Sequence, residues 1–171
     1  MKNKVGLTQI FTWVSVLMIL VMIVMMFTPS WKYETKERGE DRKMVTVTKE
    51  ASIAGFVWFP EDHKGLVKNY ENETDTEFVI NDEVTMPALL LVLGVALSIF
   101  ALVKSKSLIG PLAAFGLGAY SIYGYHASDF IKTASCWNRN VTVSYIATAV
   151  GLVCIVAHIV VVILKKKAAK V

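Results

Sequence analysis

Two cysteines in 171 residues, and no carboxylate within any of the long apolar runs, are the shortages that say most about this chain. Each removes a class of function. Cys136 lies in a short segment before the last apolar run, and Cys154 lies midway along that run. A helix would put them roughly 20 Å apart in depth, too far to be bridged. Cys136 is therefore a free thiol or one half of an intermolecular disulfide. Pumps and coupled transporters place acids or bases on the path through a membrane, so the missing carboxylates argue against autonomous ion transport. No basic cluster is interleaved with aromatic residues on a soluble segment, which removes nucleic acid as a partner.

Catalytic and metal-binding constellations are also scarce. His126 and His158 would stand roughly 20–25 Å apart along helices rising 1.5 Å per residue, so they share no metal or haem. Cys154 and His158 fall on one helical face at i, i+4, yet two ligands are fewer than a zinc site needs. His63 beside Glu61 and Asp62 reads as a solvated turn. The expectation is a protein that is not an enzyme and carries no cofactor or metal.

Apolar sequence is what the chain has in quantity. Runs at residues 8–27, 86–103, 107–125 and 141–164 each meet or approach the ~20 residues that cross a ~30 Å hydrocarbon core as a helix. The third is interrupted by Gly110, Pro111, Gly116, Gly118 and Gly124, residues that membrane helices tolerate. Four spans also keep the basic ends, Met1-Lys2-Asn3-Lys4 and Lys165-Lys166-Lys167, on one side. Basic flanks are retained in the cytoplasm. Lys104 and Lys106 join them there, whereas residues 28–85 carry eight basic and 13 acidic residues, a net charge of −5. This long loop is expected outside, with the chain multi-pass in the plasma (cytoplasmic) membrane and both termini cytoplasmic. The overall charge of +4 then favours anionic lipid headgroups at the cytoplasmic face. The first run is longer than a signal-peptide core and lacks a small-x-small cleavage site, so it reads as a retained anchor.

The organisation predicted is residues 1–27 as N-terminus and first helix, 28–85 as an extracytoplasmic β-rich loop, and 86–171 as three further helices with a basic tail. The fold class is an all-α membrane protein, a four-transmembrane-helix bundle with that small loop domain between helices 1 and 2. Within the loop, residues 32–43 read as a charged connection. Residues 44–48 alternate β-branched side chains and read as a strand, with residues 52–59 and 76–80 as further strand candidates. Trp31, Trp58 and Phe59 fit either an interfacial aromatic belt or partner contacts. Met18, Met22 and Met25 give the first span an adaptable face that fits a protein partner or lipid. Gly110, Ala114 and Gly118, at spacing four, predict close helix packing. His158 is the intramembrane ionisable residue; its position near the cytoplasmic end favours a structural role. The sequons at Asn72 and Asn140 accept glycans only in a host that glycosylates.

Pro29-Ser30-Trp31 directly after the first run, followed by Gly55-Phe56-Val57-Trp58 in the loop, resembles the claudin, peripheral-myelin-protein and channel-γ-subunit group of tetraspan proteins. That resemblance implies a left-handed bundle of four helices beneath an extracellular sheet. The group pairs two cysteines within this loop, and here the loop has none. The function expected is an auxiliary or assembly subunit binding a larger membrane transporter or channel. One alternative is a self-associating claudin-like adhesion or barrier protein, a homo-oligomer. Another is a small membrane enzyme or ligand carrier using His158, Tyr120, Glu61, Asp62 or His63.

Overall fold

The computed structural model of the protein describes residues 6–38, 43–75, 77 and 80–169. Helix α1 spans Leu7–Phe27 and opens where Gln9 folds back to accept the Gly6 N–H at 2.9 Å. Strands β1 (Pro29–Arg38) and β2 (Met44–Ser52) follow, then α2 (Ile53–Trp58), a 3₁₀ turn (Pro60–His63) and α3 (Lys64–Thr74). Helices α4 (Ile80–Val103), α5 (Ile109–Ala127), the short α6 (Asp129–Lys132) and α7 (Trp137–Ala168) complete the chain.

Among the described residues, three helices are long and apolar enough to cross a membrane: α1, α4 from Thr85 onward, and α7. Helix α5, predicted as the third span, forms over 19 residues and packs against α1, α4 and α7, but its glycines, tyrosines and His126 make it less apolar. The pattern of burial in all four is inverted relative to a soluble protein. Leu17, Leu20, Val92, Ile99, Val153 and Val156 are exposed, while Thr12, Ser15, Ser98, Ser121 and Ser144 are buried. Lipid tails solvate the former as well as a core would, so the helices associate through small and polar side chains.

Among the buried positions, one line on each helix recurs at alternating steps of four and three: Thr8, Thr12, Ser15, Ile19, Met22 and Met26 on α1; Pro87, Leu91, Gly94, Ser98 and Ala101 on α4. On α5 they are Gly110, Ala114, Leu117, Ser121 and Gly124, and on α7 Asn140, Ser144, Ala147, Gly151, Cys154 and His158. A seam repeating every 3.5 residues keeps facing its neighbours when helices supercoil left-handedly. Several hydroxyls on these helices are satisfied within their own helix, Ser15 donating to Phe11 O at 2.8 Å, Ser144 to Asn140 O at 3.0 Å and Thr148 to Ser144 O at 2.8 Å, whereas the buried Ser98 and Ser121 hydroxyls have no partner among the described residues.

Two strand predictions change. The stretch read as a charged connection forms β1 as far as Arg38, because Trp31, Tyr33 and Thr35 point inward between the outward Lys32, Glu34 and Lys36. That period of two was hidden by its charged half. Residues 52–59, read as a strand, form α2 instead: Ser52 accepts the Gly55 N–H at 2.9 Å as an N-cap, and Ile53, Ala54 and Phe56 bury one side. Strand β2 extends from the predicted 44–48 through Ser52. The strand predicted at 76–80 falls largely outside the described residues, and Ile80 begins α4.

Candidate functional site: the aromatic cap and its groove

The two strands, α2, α3 and α6 form a cap at the end of the helices where α1 finishes and α4 begins. Strand β1 pairs antiparallel with β2, Trp31 opposite Ala51 and Arg38 opposite Met44, with an irregularity between Pro29 and Trp31. Cross-strand ion pairs join Lys32 to Glu50 at 3.0 Å and Lys49 to Glu37. Both are exposed, so water screens them and they add little to stability.

The cap is held by aromatic packing. The Trp31 ring lies 5.0 Å from Phe130 and 6.1 Å from Phe56, Phe56 lies 5.0 Å from Phe130, and Tyr70 meets Phe130 edge-on at 5.2 Å. These four side chains come from β1, α2, α3 and α6, so a single cluster ties the first strand to the three helices of the cap. The Trp31 indole N–H donates to Thr133 Oγ1 at 3.3 Å, the Ser135 hydroxyl to Ser30 O at 2.8 Å, and Arg139 to Thr28 Oγ1 at 2.8 Å. Ser128 caps α6 by accepting the Ile131 N–H at 3.0 Å, which aims Phe130 and Ile131 into the cluster.

His63 sits at the margin of this core, its ring stacked on Phe56 and edge-on to Tyr33. Tyr33 Oη and His63 Nδ1 share a hydrogen bond of 3.1 Å, the tyrosine donating when the ring proton is on Nε2. Burial holds the imidazole below its ordinary pKa of 6.5 against the opposing pull of Asp62. Burial likewise raises Tyr33 above its usual value, with Lys49 acting in the opposite sense. Glu61 pairs with Lys64 rather than with His63. Among the described residues, no three His, Cys, Asp or Glu side chains gather to hold a metal ion.

A groove of about 540 Å³ runs between β1 and α3. Every β1 residue from 31 to 36 lines it, facing Leu66, Asn69, Tyr70 and Glu73 of α3, with Thr46 and Thr133 at its margins. Successive strand residues alternate between the two faces, so a groove bordered by six in a row runs along the strand.

No protein-family model, curated protein or solved structure matches this chain.

The residues singled out in the sequence separate by where the fold places them. Trp58 and Phe59 are the exposed aromatic pair, 58% and 59% accessible, at the end of α2 beside α1 and α4. Trp31 is not at a surface: it is 4% exposed, the centre of the cap. On α1, Met22 is buried in the seam and Met18 and Met25 are partly covered, so this face packs largely within the chain. The small residues of α5 also pack internally. A methyl group on Gly110 would lie 3.2 Å from Thr12 Cα, and one on Gly118 would lie 2.9 Å from Thr148 N and overlap the Thr148 hydroxyl. Gly151 on α7 answers them, since its methyl would meet Phe115 N at 2.5 Å.

Cys136 is a free, partly buried thiol, and Cys154 a free buried one. His158 is 4% exposed, with Nδ1 unpartnered among the described residues. Tyr120 directs its hydroxyl to Met86 Sδ. Asn140 is 2% exposed and therefore closed to glycosylation. Phe130 and Tyr70 were missed as cap residues. The Ser128-Asp129 start of a short helix before Phe130-Ile131 was the available signal for one, and Leu66 and Tyr70 at i, i+4 for the other.

Proposed function

We propose that this protein is a non-enzymatic auxiliary or assembly subunit that binds a larger membrane transporter or channel. In this reading α5 serves as a fourth span, supported by its contacts with α1, α4 and α7 and by the matching seams of all four helices. The chain ends and the Lys104–Lys106 turn lie on the cytoplasmic side, and the acidic cap lies outside the plasma membrane.

One observation carries the functional reading: where the molecule leaves room. The cavity between α4 and α5, lined by Met86, Leu90, Tyr120 and Tyr125, holds about 10 Å³, whereas the groove in the cap holds about 540 Å³. Small and polar side chains along the helices are consumed in packing, which supports no path for a solute. The cap instead offers an open groove and the exposed pair Trp58 and Phe59, aromatic side chains of the type that anchor protein interfaces.

The test is purification of the tagged chain from its native membrane in mild detergent. The reading expects a larger membrane protein in fixed stoichiometry, reduced at least tenfold by the double substitution Trp58→Ala and Phe59→Ala. Recovery of this chain alone overturns it. A self-associating adhesion protein is the second reading, favoured by the free and partly exposed Cys136. It expects a dimer on a non-reducing gel that disappears in Cys136→Ser.

A further inference from the structure

We infer that the groove between β1 and α3 is a strand-addition site: it takes an extended polypeptide segment of the partner, which pairs with the free edge of β1. This rests on the auxiliary-subunit reading and gives that reading a contact mode.

In an antiparallel ribbon, alternate residues of each strand aim N–H and C=O away from their partner. Among the described residues, no hydrogen bond reaches the main chain of 31–38 from outside the β1–β2 ladder. An edge of this kind is a template for another strand, and proteins ordinarily cover or blunt it. Here it opens instead into a groove bordered by six consecutive β1 residues, about 20 Å at the rise of an extended chain.

The far wall decides what can enter. Helix α3 stands opposite the edge, presenting Leu66, Asn69, Tyr70 and Glu73, so the edge lies inside a slot. A second copy of this chain would bring its own β1 already walled by its own α3, and two walled edges cannot meet. A single extended segment can slide in. Main-chain pairing supplies affinity and the side-chain pattern supplies specificity, as in other strand-addition complexes.

Charge gives the pattern. On the outward face of β1, Lys32 is neutralised by Glu50, but Glu34 and Lys36 stand opposite Thr48 and Thr46 and make no ion pair with β2. A strand added at the other edge meets them with a cation beside Glu34 and an anion beside Lys36, two residues apart. Its alternate residues turn inward against Leu66 and the Tyr70 ring, which suits valine or isoleucine. The segment that fits therefore alternates β-branched residues with one Lys or Arg and one Asp or Glu.

The full-length protein in detergent, titrated with fluorescently labelled Thr-Val-Lys-Val-Glu-Val-Thr, blocked at both ends, tests this directly. Anisotropy should report saturable binding, and hydrogen exchange should slow at alternate β1 amides between 31 and 37. Methylating the peptide nitrogens that face the edge should weaken binding at least tenfold, a test of the ladder that leaves the protein unaltered. Asn69→Trp, which fills the slot from α3, should weaken it as much while circular dichroism stays unchanged.

Binding indifferent to N-methylation, protection away from β1, or no protection at millimolar peptide overturns the inference. So does β1 protection arising from dimers of this chain without peptide. The two levels fail separately. If a larger partner co-purifies equally with wild type and Asn69→Trp, the groove inference falls and the auxiliary reading stands. If peptide pairs with β1 but no partner co-purifies, the auxiliary reading falls alone.

Discussion

Trp31 ties β1 into the cap, because its ring packs against those of Phe56 and Phe130 and its indole N–H is bonded to Thr133. Trp31→Ala should cost about 3–5 kcal/mol by cavity formation, read as a lost thermal transition of the cap. Thr133→Val removes two hydrogen bonds, the one accepted from the Trp31 indole and the one donated to Phe130 O, and should cost about 1–3 kcal/mol. His63 makes stability depend on pH. Its folded-state pKa lies below the ordinary 6.5, so the fold favours the neutral ring. Between the two values the unfolded chain binds the extra proton, and stability falls as pH drops below 6.5 until the folded-state pKa is passed. The midpoint of thermal unfolding should therefore fall between pH 7.5 and pH 5, and His63→Gln should remove most of that dependence. Local pattern made Trp31 visible as an unusual residue but placed it at a surface. Its covering residue, Phe130, comes from the other side of α4 and α5, a contact that no window around Trp31 contains.

At the level of elements, the glycines of the helices divide by what lies in front of them. Gly118→Ala drives a methyl into the Thr148 backbone, and Gly151→Ala into that of Phe115. Each should destabilise the helix assembly by about 1–3 kcal/mol or more, since backbone cannot yield as a side chain can. Gly116 faces open space, so Gly116→Ala should be neutral or stabilising by roughly 0.5–1 kcal/mol from helix propensity. Unfolding in a graded detergent mixture checks all three. The spacing of Gly110, Ala114 and Gly118 made close packing legible, and their burial against α1 and α7 answers where the contact falls. The short helices were harder to read. In α2 the aromatic and branched residues of Ile53–Trp58 mimic a strand, and the deciding feature is one hydrogen bond, Gly55 N–H to Ser52 Oγ. Ser52→Ala should cost about 0.5–2 kcal/mol as a lost N-cap, and Ser52→Asp should restore most of it.

For the molecule as a whole, apolar length made legible the helices α1, α4 and α7, which are long and apolar enough to cross a membrane, because hydrocarbon thickness sets that length directly. The cap was less legible because its order comes from pairing between distant segments and from a strand half made of charges. The molecule has two parts: helices that spend their small and polar residues on one another, and a cap with an open groove and the exposed Trp58–Phe59 pair. In the proposed function a larger membrane protein occupies that cap. Native mass spectrometry of the assembly released from mild detergent is the most direct test. The mass expected exceeds whole multiples of the 19.0 kDa chain by that of one larger protein. Species at 19.0 kDa and its multiples alone would contradict it.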